Sequence, residues 1–495
     1  MKRMVLAFAA ILATPAFAGS VVVAKRAALA TTSPQATRIG LDVLKQGGNA
    51  IDAAVAVAFA LAVVQPESGN IGGGGFLIYY EANSRAVWTL DFREVAPAAA
   101  TRDMFNGKSS RTGALAAGIP GTVAGLDAMH KRFGSRRWKD LLAPAIDLSK
   151  NELAATLRRI AEKGASDFYN GDIAAHIVEG VRAGGGIFSL RDLREYKPVW
   201  RAPMRITFRE FDVYTLPPPS AAGLMIGEEL NILGGFDLNA SGYQTAQSIH
   251  LLAEAERRAA IDRDRYLGDP IAQRTPYRDL LSAERAAQWR ASINPSRATP
   301  TASLAQLGVA IAESAHTTHF TIADADGNIA AITTTLGDPF GSGFVVPGCG
   351  FPLNNAMHDF AASENSPNAI AAGRRMATSL APTIVLRHNQ PFLALGTSGG
   401  AAIPNIVLQT FLAVALYGKS LPEAVSAARF DQQATPEDMT CEFMKTRQTL
   451  LAQLREMGHG VRETEPIGDV QALMLETQRI TAVSDPRHGG AAGGY

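Results

Sequence analysis

Apolar positions set the first boundaries along this chain. From Asn49 to Val64, "NAIDAAVAVAFALAVV", they run almost unbroken around a helix, which is therefore expected to be buried on every side. The run is too short to cross a membrane and carries Asp52. Before it, "SPQATRIGLDVLKQGG" reads as a helix closed by a Gly-Gly turn. After it, "GNIGGGGF" leads into "FLIYYE", a strand. A phosphate-binding loop is excluded there, because no Lys-Ser/Thr follows and the next element is not a helix. The glycines are expected instead where backbone must approach another backbone or a substrate.

The same reading carries along the chain. "AVWTLDFREVAP" is a strand running into a loop, and the stretch from "GTVAGLDAMHKRFG" through "EGVRAGGGIFSLRDLREY" is mostly helical. "RITFREFDVYTLPPPSAAG" is a strand pair stopped by prolines. "SIHLLAEAERRAAIDRDRYLGDP" reads as an amphipathic helix with its charges on one face. From about Pro270 to Ala312 the chain is polar and irregular, as an exposed linker would be. Strands then dominate: "HFTIADADGNIAAITTTL", "APTIVLRHNQPFLALGTSGG" and "DVQALMLETQRITAVSD", with a helical stretch before the last of them. This order predicts layered α/β packing with largely antiparallel strands.

Composition adds limits. The 495 residues are 47% hydrophobic and 19% charged, enough for a large core. A net charge of +1 gives no footprint for nucleic acid or an acidic membrane surface. "MKRMVLAFAAILATPAFAGS" has a basic start, a short apolar run and a small-x-small site, so a signal peptide over 1–18, cut after Ala18, and a periplasmic or secreted location are expected. With the signal removed, no membrane span is expected. Cys349 and Cys441 permit one bridge without establishing it. No Cys/His spacing suits a metal, and no cofactor motif is present.

The candidate chemistry lies in "ESAHTTHFTIADADGNIAAITTTLGDPFGSG", residues 313–343. If Ala325-Asp326-Gly327 forms a three-residue hairpin loop, Asp324 faces Asn328 and Thr317 falls opposite Thr335; other loop choices move the partner by one residue. Threonine favours strands, so this pair alone fits a structural hairpin. If the bond between His316 and Thr317 is cut, however, Thr317 gains an α-amine with a pKa of about 7.7–8.0. That amine can act as general base for its own hydroxyl. His316 and His319 are then not needed for the chemistry. "GTSGGAA" follows a strand and precedes a helix, so the amides of Gly399 and Gly400 are candidate oxyanion donors.

These residues carry a resemblance. "TTHFTIADADGN" is similar to the start of the small subunit of γ-glutamyltransferases (glutathione hydrolases) of the N-terminal-nucleophile superfamily. "SGNIGGGGF", "LDFREVAP", "GIPGTVAGL", "LPPPSAAG", "DRYLGDP", "LNNAMHDF", "APTIV", "GTSGG" and "VSDPRHGGAAGGY" recur in family order over essentially the mature chain. The resemblance implies a four-layer αββα sandwich. It implies a precursor that cuts itself between His316 and Thr317 into a large chain over 19–316 and a small chain over 317–495. Thr317 would be the nucleophile, Thr335 its hydrogen-bonding partner, and Gly399 and Gly400 the oxyanion hole. Arg93, with Thr378 and Ser379, would hold the α-carboxylate of a γ-glutamyl group, and Asp359 its α-ammonium. An arginine fork and hydroxyls suit a carboxylate, although without the resemblance Arg93 reads as a structural ion pair with Glu94 or Asp91.

Two departures stand out. Gly337 and Ala356 occupy positions where the family carries polar side chains that help hold the ammonium, which leaves Asp359 nearly alone. The segment between Asp359 and Arg375 is also short for a lid, so an open cleft is expected. The implied activity is hydrolysis or transfer of γ-glutamyl amides such as glutathione through a threonine ester, with hydrolysis favoured. The alternatives are an acylase for glutaryl amides or poly-γ-glutamate on the same scaffold, and an uncut, inactive binding protein.

Overall fold

The computed structural model describes residues 20–271, 275–304, 308, 310, 313, 316–442 and 447–495; the signal peptide expected over 1–18 lies outside them. Two seven-stranded antiparallel sheets form the centre of the molecule. The first has the order β17 (Ala491–Gly494), β2 (Ala28–Thr31), β8 (Thr318–Ala323), β9 (Ile329–Thr335), β3 (Gly74–Glu81), β4 (Ala86–Asp91) and β5 (Val199–Arg201). The second has the order β1 (Val21–Ala24), β16 (Arg479–Ser484), β15 (Gln471–Glu476), β11 (Gln390–Gly396), β10 (Thr383–Arg387), β7 (Phe211–Thr215) and β6 (Met204–Phe208). A small third sheet joins β12 (Phe430–Asp431), β13 (Met439–Cys441) and β14 (Val461–Glu463).

Side-chain alternation explains the layering. On β8 and β9, Phe320, Ile322, Ala330 and Ile332 point outward into a core shared with the helices Ala50–Val64 and Thr122–Phe133. Ala323, Ile329 and Ala331 point the other way and meet Ile384, Ala394, Leu473 and Ala482 of the second sheet. The outer face of that sheet is covered by the helices Ala222–Leu233, Ala246–Tyr266 and Ile403–Ala415. The result is the expected helix–sheet–sheet–helix order.

The helix Ala50–Val64 is buried from Ala50 to Ala62, as its pattern predicts. Asn49 and Asp52 close its N-terminus as a reciprocal capping box. The long helix Ala246–Tyr266 departs from expectation. Its charges do not form a solvated face; every residue from Ser248 to Asp264 is buried. Arg258 meets Glu254 at 2.7 Å, and Asp262 meets Arg285 at 2.6 Å. The region after Pro270 is likewise less irregular than its composition implies. Helix Ala283–Ala291 docks on the long helix through Trp289, whose indole N–H donates to Asp262 at 3.0 Å, and Thr299 N–H donates to Glu254 at 3.0 Å. Both corrections have one cause: polarity does not distinguish a charge facing water from a charge facing its partner.

Cys349 and Cys441 are both buried and are not joined in a disulfide. Among the described residues no helix is long and apolar enough to cross a membrane.

Candidate active site

The hairpin of β8 and β9 brings the first part of the site together. Asp324 N–H donates to Asn328 O at 3.0 Å, Gly327 takes φ = +86°, and Thr318 pairs with Thr334. This is the register expected from the turn, and it sets Thr317 beside Thr335. The buried Thr317 hydroxyl donates to Thr335 Oγ1 at 3.3 Å. Thr335 donates its single proton to the carbonyl oxygen of His316 at 3.0 Å and accepts the Gly337 N–H at 2.9 Å. One proton given and two accepted is a complete set for a hydroxyl. A nucleophilic side chain and the carbonyl preceding it are thus held against one hydroxyl.

The glycine loop makes room for this arrangement. A Cβ on Gly73 would come within 2.1 Å of Thr335 O, and one on Gly75 within 2.3 Å of Thr333 O. The loop therefore serves close backbone approach, the expectation drawn from its context. His319, on the same face of β8 as Thr317, bonds the Thr333 and Thr321 hydroxyls, each at 2.8 Å. Burial pushes its imidazole down to about 3, so it is neutral, and its ring fills the space a Cβ on Gly396 would take.

A charged half faces the threonines. Asp91 shapes the loop after β4, accepting the Arg93 N–H at 2.9 Å and pairing with Arg201 at 2.8 Å. Tyr196 donates its hydroxyl to Arg93 O at 3.0 Å. The Arg93 guanidinium is fully buried, 2.9 Å from Glu94 and hydrogen-bonded to Asp359. Burial works against its charge, but the carboxylates of Glu94, Asp359 and Glu313 outweigh it and keep it protonated. Burial pushes the Asp359 carboxyl up to about 8; Arg93 opposes this, and the nearby Glu313 charge adds to it. Within the protein, Asp359 is therefore paired with Arg93. The structural pairing of Arg93 with Glu94 and its place in the cleft hold together.

Arg93, Thr317, Thr335, Asp359, Thr378 and Gly400 line one small pocket, together with Glu313, Gly337, Leu380 and Ile403. Thr378 is set there by "PPPS", its N–H donating to Pro219 O at 3.0 Å. Ser379 sits beside the pocket, its hydroxyl buried with no partner among the described residues. Gly399 and Gly400 take φ of +134° and +58° at the end of β11, a turn that suits glycine. Neither N–H is used in the backbone hydrogen bonding of the described residues.

Gly337 has a local reason. It takes φ = +92°, and a Cβ there would lie 2.0 Å from Asn355 Oδ1. Asn355 is itself committed, accepting the Asp338 N–H at 3.0 Å and donating to the Asp338 carboxylate at 2.7 Å. Ala356 is buried in an apolar cluster with Met357, Phe360 and Met376. Three pocket residues were not assigned by sequence reasoning, Glu313, Leu380 and Ile403, and of these Glu313 carries a charge. Its only signal was position, three residues before His316, and that does not reveal a chain folding back into a pocket.

Among the described residues no group of three or more His, Cys, Asp or Glu side chains is arranged to hold a metal. A separate cleft, lined by Asn49, Arg132 and Asp326, opens at the turn end of the β8–β9 hairpin, away from Thr317.

Known proteins match both this geometry and the chain as a whole. The sequence profile of Gamma-glutamyltranspeptidase matches residues 36–151 and 148–495. A glutathione hydrolase proenzyme of Pseudomonas sp. (strain A14) is 36% identical, covering 95% of each chain. The acylase ACY 1 proenzyme of Pseudomonas sp. (strain V22) is 32% identical over 82% of each. In three dimensions, the cephalosporin acylase from Bacillus halodurans superposes with a TM-score of 0.87 over 99% of both chains at 25% identity. The paired sheets, the Thr317–Thr335 contact and matches running the length of the chain converge on one assignment: the chain belongs to the γ-glutamyltranspeptidase family.

Proposed function

We propose that this enzyme is exported, cuts itself between His316 and Thr317, and then uses Thr317 to hydrolyse γ-glutamyl amides of the glutathione type. The observation that carries this reading is the meeting of the Thr317–Thr335 hydroxyl pair with the Arg93–Asp359 ion pair in one pocket. In the uncut chain, Thr317 Oγ1 attacks the His316 carbonyl carbon while Thr335 polarises its oxygen. The C–N bond breaks as an ester forms on Oγ1, and the hydroxyl proton passes to the departing Thr317 nitrogen. Water then hydrolyses that ester, leaving the His316 carboxylate and a free amine on Thr317.

In the cut enzyme that amine takes the hydroxyl proton as Oγ1 attacks the γ-carbonyl of the substrate. The Gly399 and Gly400 N–H groups receive the oxyanion. The amine leaves with a proton, and the γ-glutamyl ester on Thr317 passes to water. Adjacent positive and negative charges complement an amino-acid head group, its carboxylate toward Arg93, Thr378 and Ser379 and its ammonium toward Asp359. Water is favoured over an amine acceptor because the segment between Asp359 and Arg375 is short for a lid that would exclude solvent from the acyl group.

A second reading has its own support. Asp359 is engaged by Arg93, while Gly337 and Ala356 offer no polar side chain, which suits an acyl group lacking the ammonium, such as glutaryl. The purified protein, assayed on γ-glutamyl and glutaryl anilides, separates the two. A preference of at least tenfold in kcat/KM for the γ-glutamyl anilide is expected. Equal or reversed preference would transfer the protein to the glutaryl reading.

A further inference from the structure

The turn after β9 carries two features that the mechanism above does not use. Gly341 N–H donates to Asp338 O at 2.7 Å, closing Asp338-Pro339-Phe340-Gly341 into a tight turn. Its third position takes φ = +60°, a place usually kept for glycine, yet Phe340 occupies it. Burial does not offset that strain, because Phe340 is 49% exposed, and strain held in this way marks places kept for function. The same turn anchors an arginine. Arg111 Nη1 donates to both carboxylate oxygens of Asp338, at 2.9 and 2.8 Å. Asn355 fixes the pair from behind, donating to Asp338 Oδ2 at 2.7 Å and to Arg111 O at 3.1 Å. The Arg111 side chain is half-exposed, and its Nε and Nη2 make no hydrogen bond among the described residues. Those two nitrogens form one edge of the guanidinium, the edge that pairs with a carboxylate through parallel N–H groups.

Both features lie just past the reacting hydroxyls. Gly337 lines the pocket and donates its N–H to Thr335, and Asp338 is the next residue, about 3.8 Å further along the chain. Exposure rises along this path, from the fully buried Arg93 through the buried Thr317 and Thr335 to the half-exposed Arg111 and Phe340. With an acyl group seated at the buried end, the amine half of the scissile amide emerges at the exposed one. We propose that Arg111, held by Asp338, receives a carboxylate of the leaving amine, so that amides of amino acids or peptides with a free carboxylate are the favoured substrates. Phe340, on the same turn, supplies an apolar surface for the body of that leaving group. The proposal rests on the reading that Thr317 is acylated in this pocket.

The test compares γ-glutamylglycine and glutathione, each with its C-terminal amide, so that one charge is all that changes. Wild-type enzyme is expected to prefer at least one acid over its amide by roughly fivefold or more in kcat/KM, carried by KM, the upper range for a half-exposed ion pair. Arg111→Gln is expected to bring that ratio toward one, and Arg111→Lys to keep part of it. The ratio is internal to each variant, so a general loss from a disturbed loop lowers acid and amide alike and leaves it unmoved. Added salt is expected to shrink the wild-type ratio as well, which carries the test if the variants misfold. A wild-type ratio near one, or a ratio that neither Arg111→Gln nor salt changes, would overturn the proposal. If the enzyme turns over glutaryl rather than γ-glutamyl amides, glutarylglycine and its amide give the same comparison, so the head-group reading can fail without this one. If neither head group is turned over, both readings fall.

Discussion

Thr317→Ala is expected to accumulate as one uncut chain and to lose at least ~10³-fold in turnover of γ-glutamyl anilide, the scale of losing a nucleophile that works as part of a unit. The reason is that one hydroxyl has two tasks. It lies against Thr335, whose own proton goes to the His316 carbonyl, so it is placed to open that bond. After the cut it is the only hydroxyl carried by the residue with a free amine. A denaturing gel and a rate measurement on the same preparation check both consequences. A variant that still divides at this bond would remove self-processing from the account, and one that keeps its rate would remove the nucleophile. Thr317→Ser retains a hydroxyl and is expected to cut and turn over, which separates loss of chemistry from loss of fold.

Arg93→Ala carries the second large effect. The guanidinium is buried between Glu94 and Asp359, and its removal strands two carboxylates without their counter-charge. Breaking a buried pair in this way typically costs about 3–5 kcal/mol of stability. Losing one partner of a desolvated charge pair with a substrate carboxylate costs about 2–5 kcal/mol, roughly 30-fold to several thousand-fold in kcat/KM. Arg93→Ala is therefore expected to melt earlier, to cut itself at Thr317, and to lose activity mainly through KM. Arg93→Lys restores charge without the planar fork and is expected to recover stability more than recognition. An unchanged kcat/KM for γ-glutamyl anilide in Arg93→Ala would make Arg93 a purely structural ion.

Much of this was legible because local signals agreed. Asp-Gly in the turn and alternation on both strands set the register of β8 and β9, and hence the Thr317–Thr335 contact. The all-apolar helix Ala50–Val64 announced its burial. The outer strands were not legible: β17 is Ala-Ala-Gly-Gly, which carries no strand pattern, and its pairing with β2 joins segments more than 450 residues apart. The charges of the helix Ala246–Tyr266 were read as a wet face, since a 3.6-residue period records where a side chain points and not what waits there. For the site, the resemblance supplied the residue types, while the pairing of Arg93 with Asp359 and the return of Glu313 into the pocket are tertiary facts. Gly337, read in the sequence as a missing polar partner for the ammonium, also sits at φ = +92° against Asn355, a backbone constraint the sequence does not show.

The central claim is that Thr317 becomes a chain terminus and carries the acyl group. It is tested most directly by mass spectrometry of the purified protein mixed with γ-glutamyl anilide and quenched in acid. The account predicts a small chain beginning at Thr317, with one glutamyl group added to its N-terminal peptide. An intact chain that turns over substrate, or an acyl group on any other residue, would contradict it.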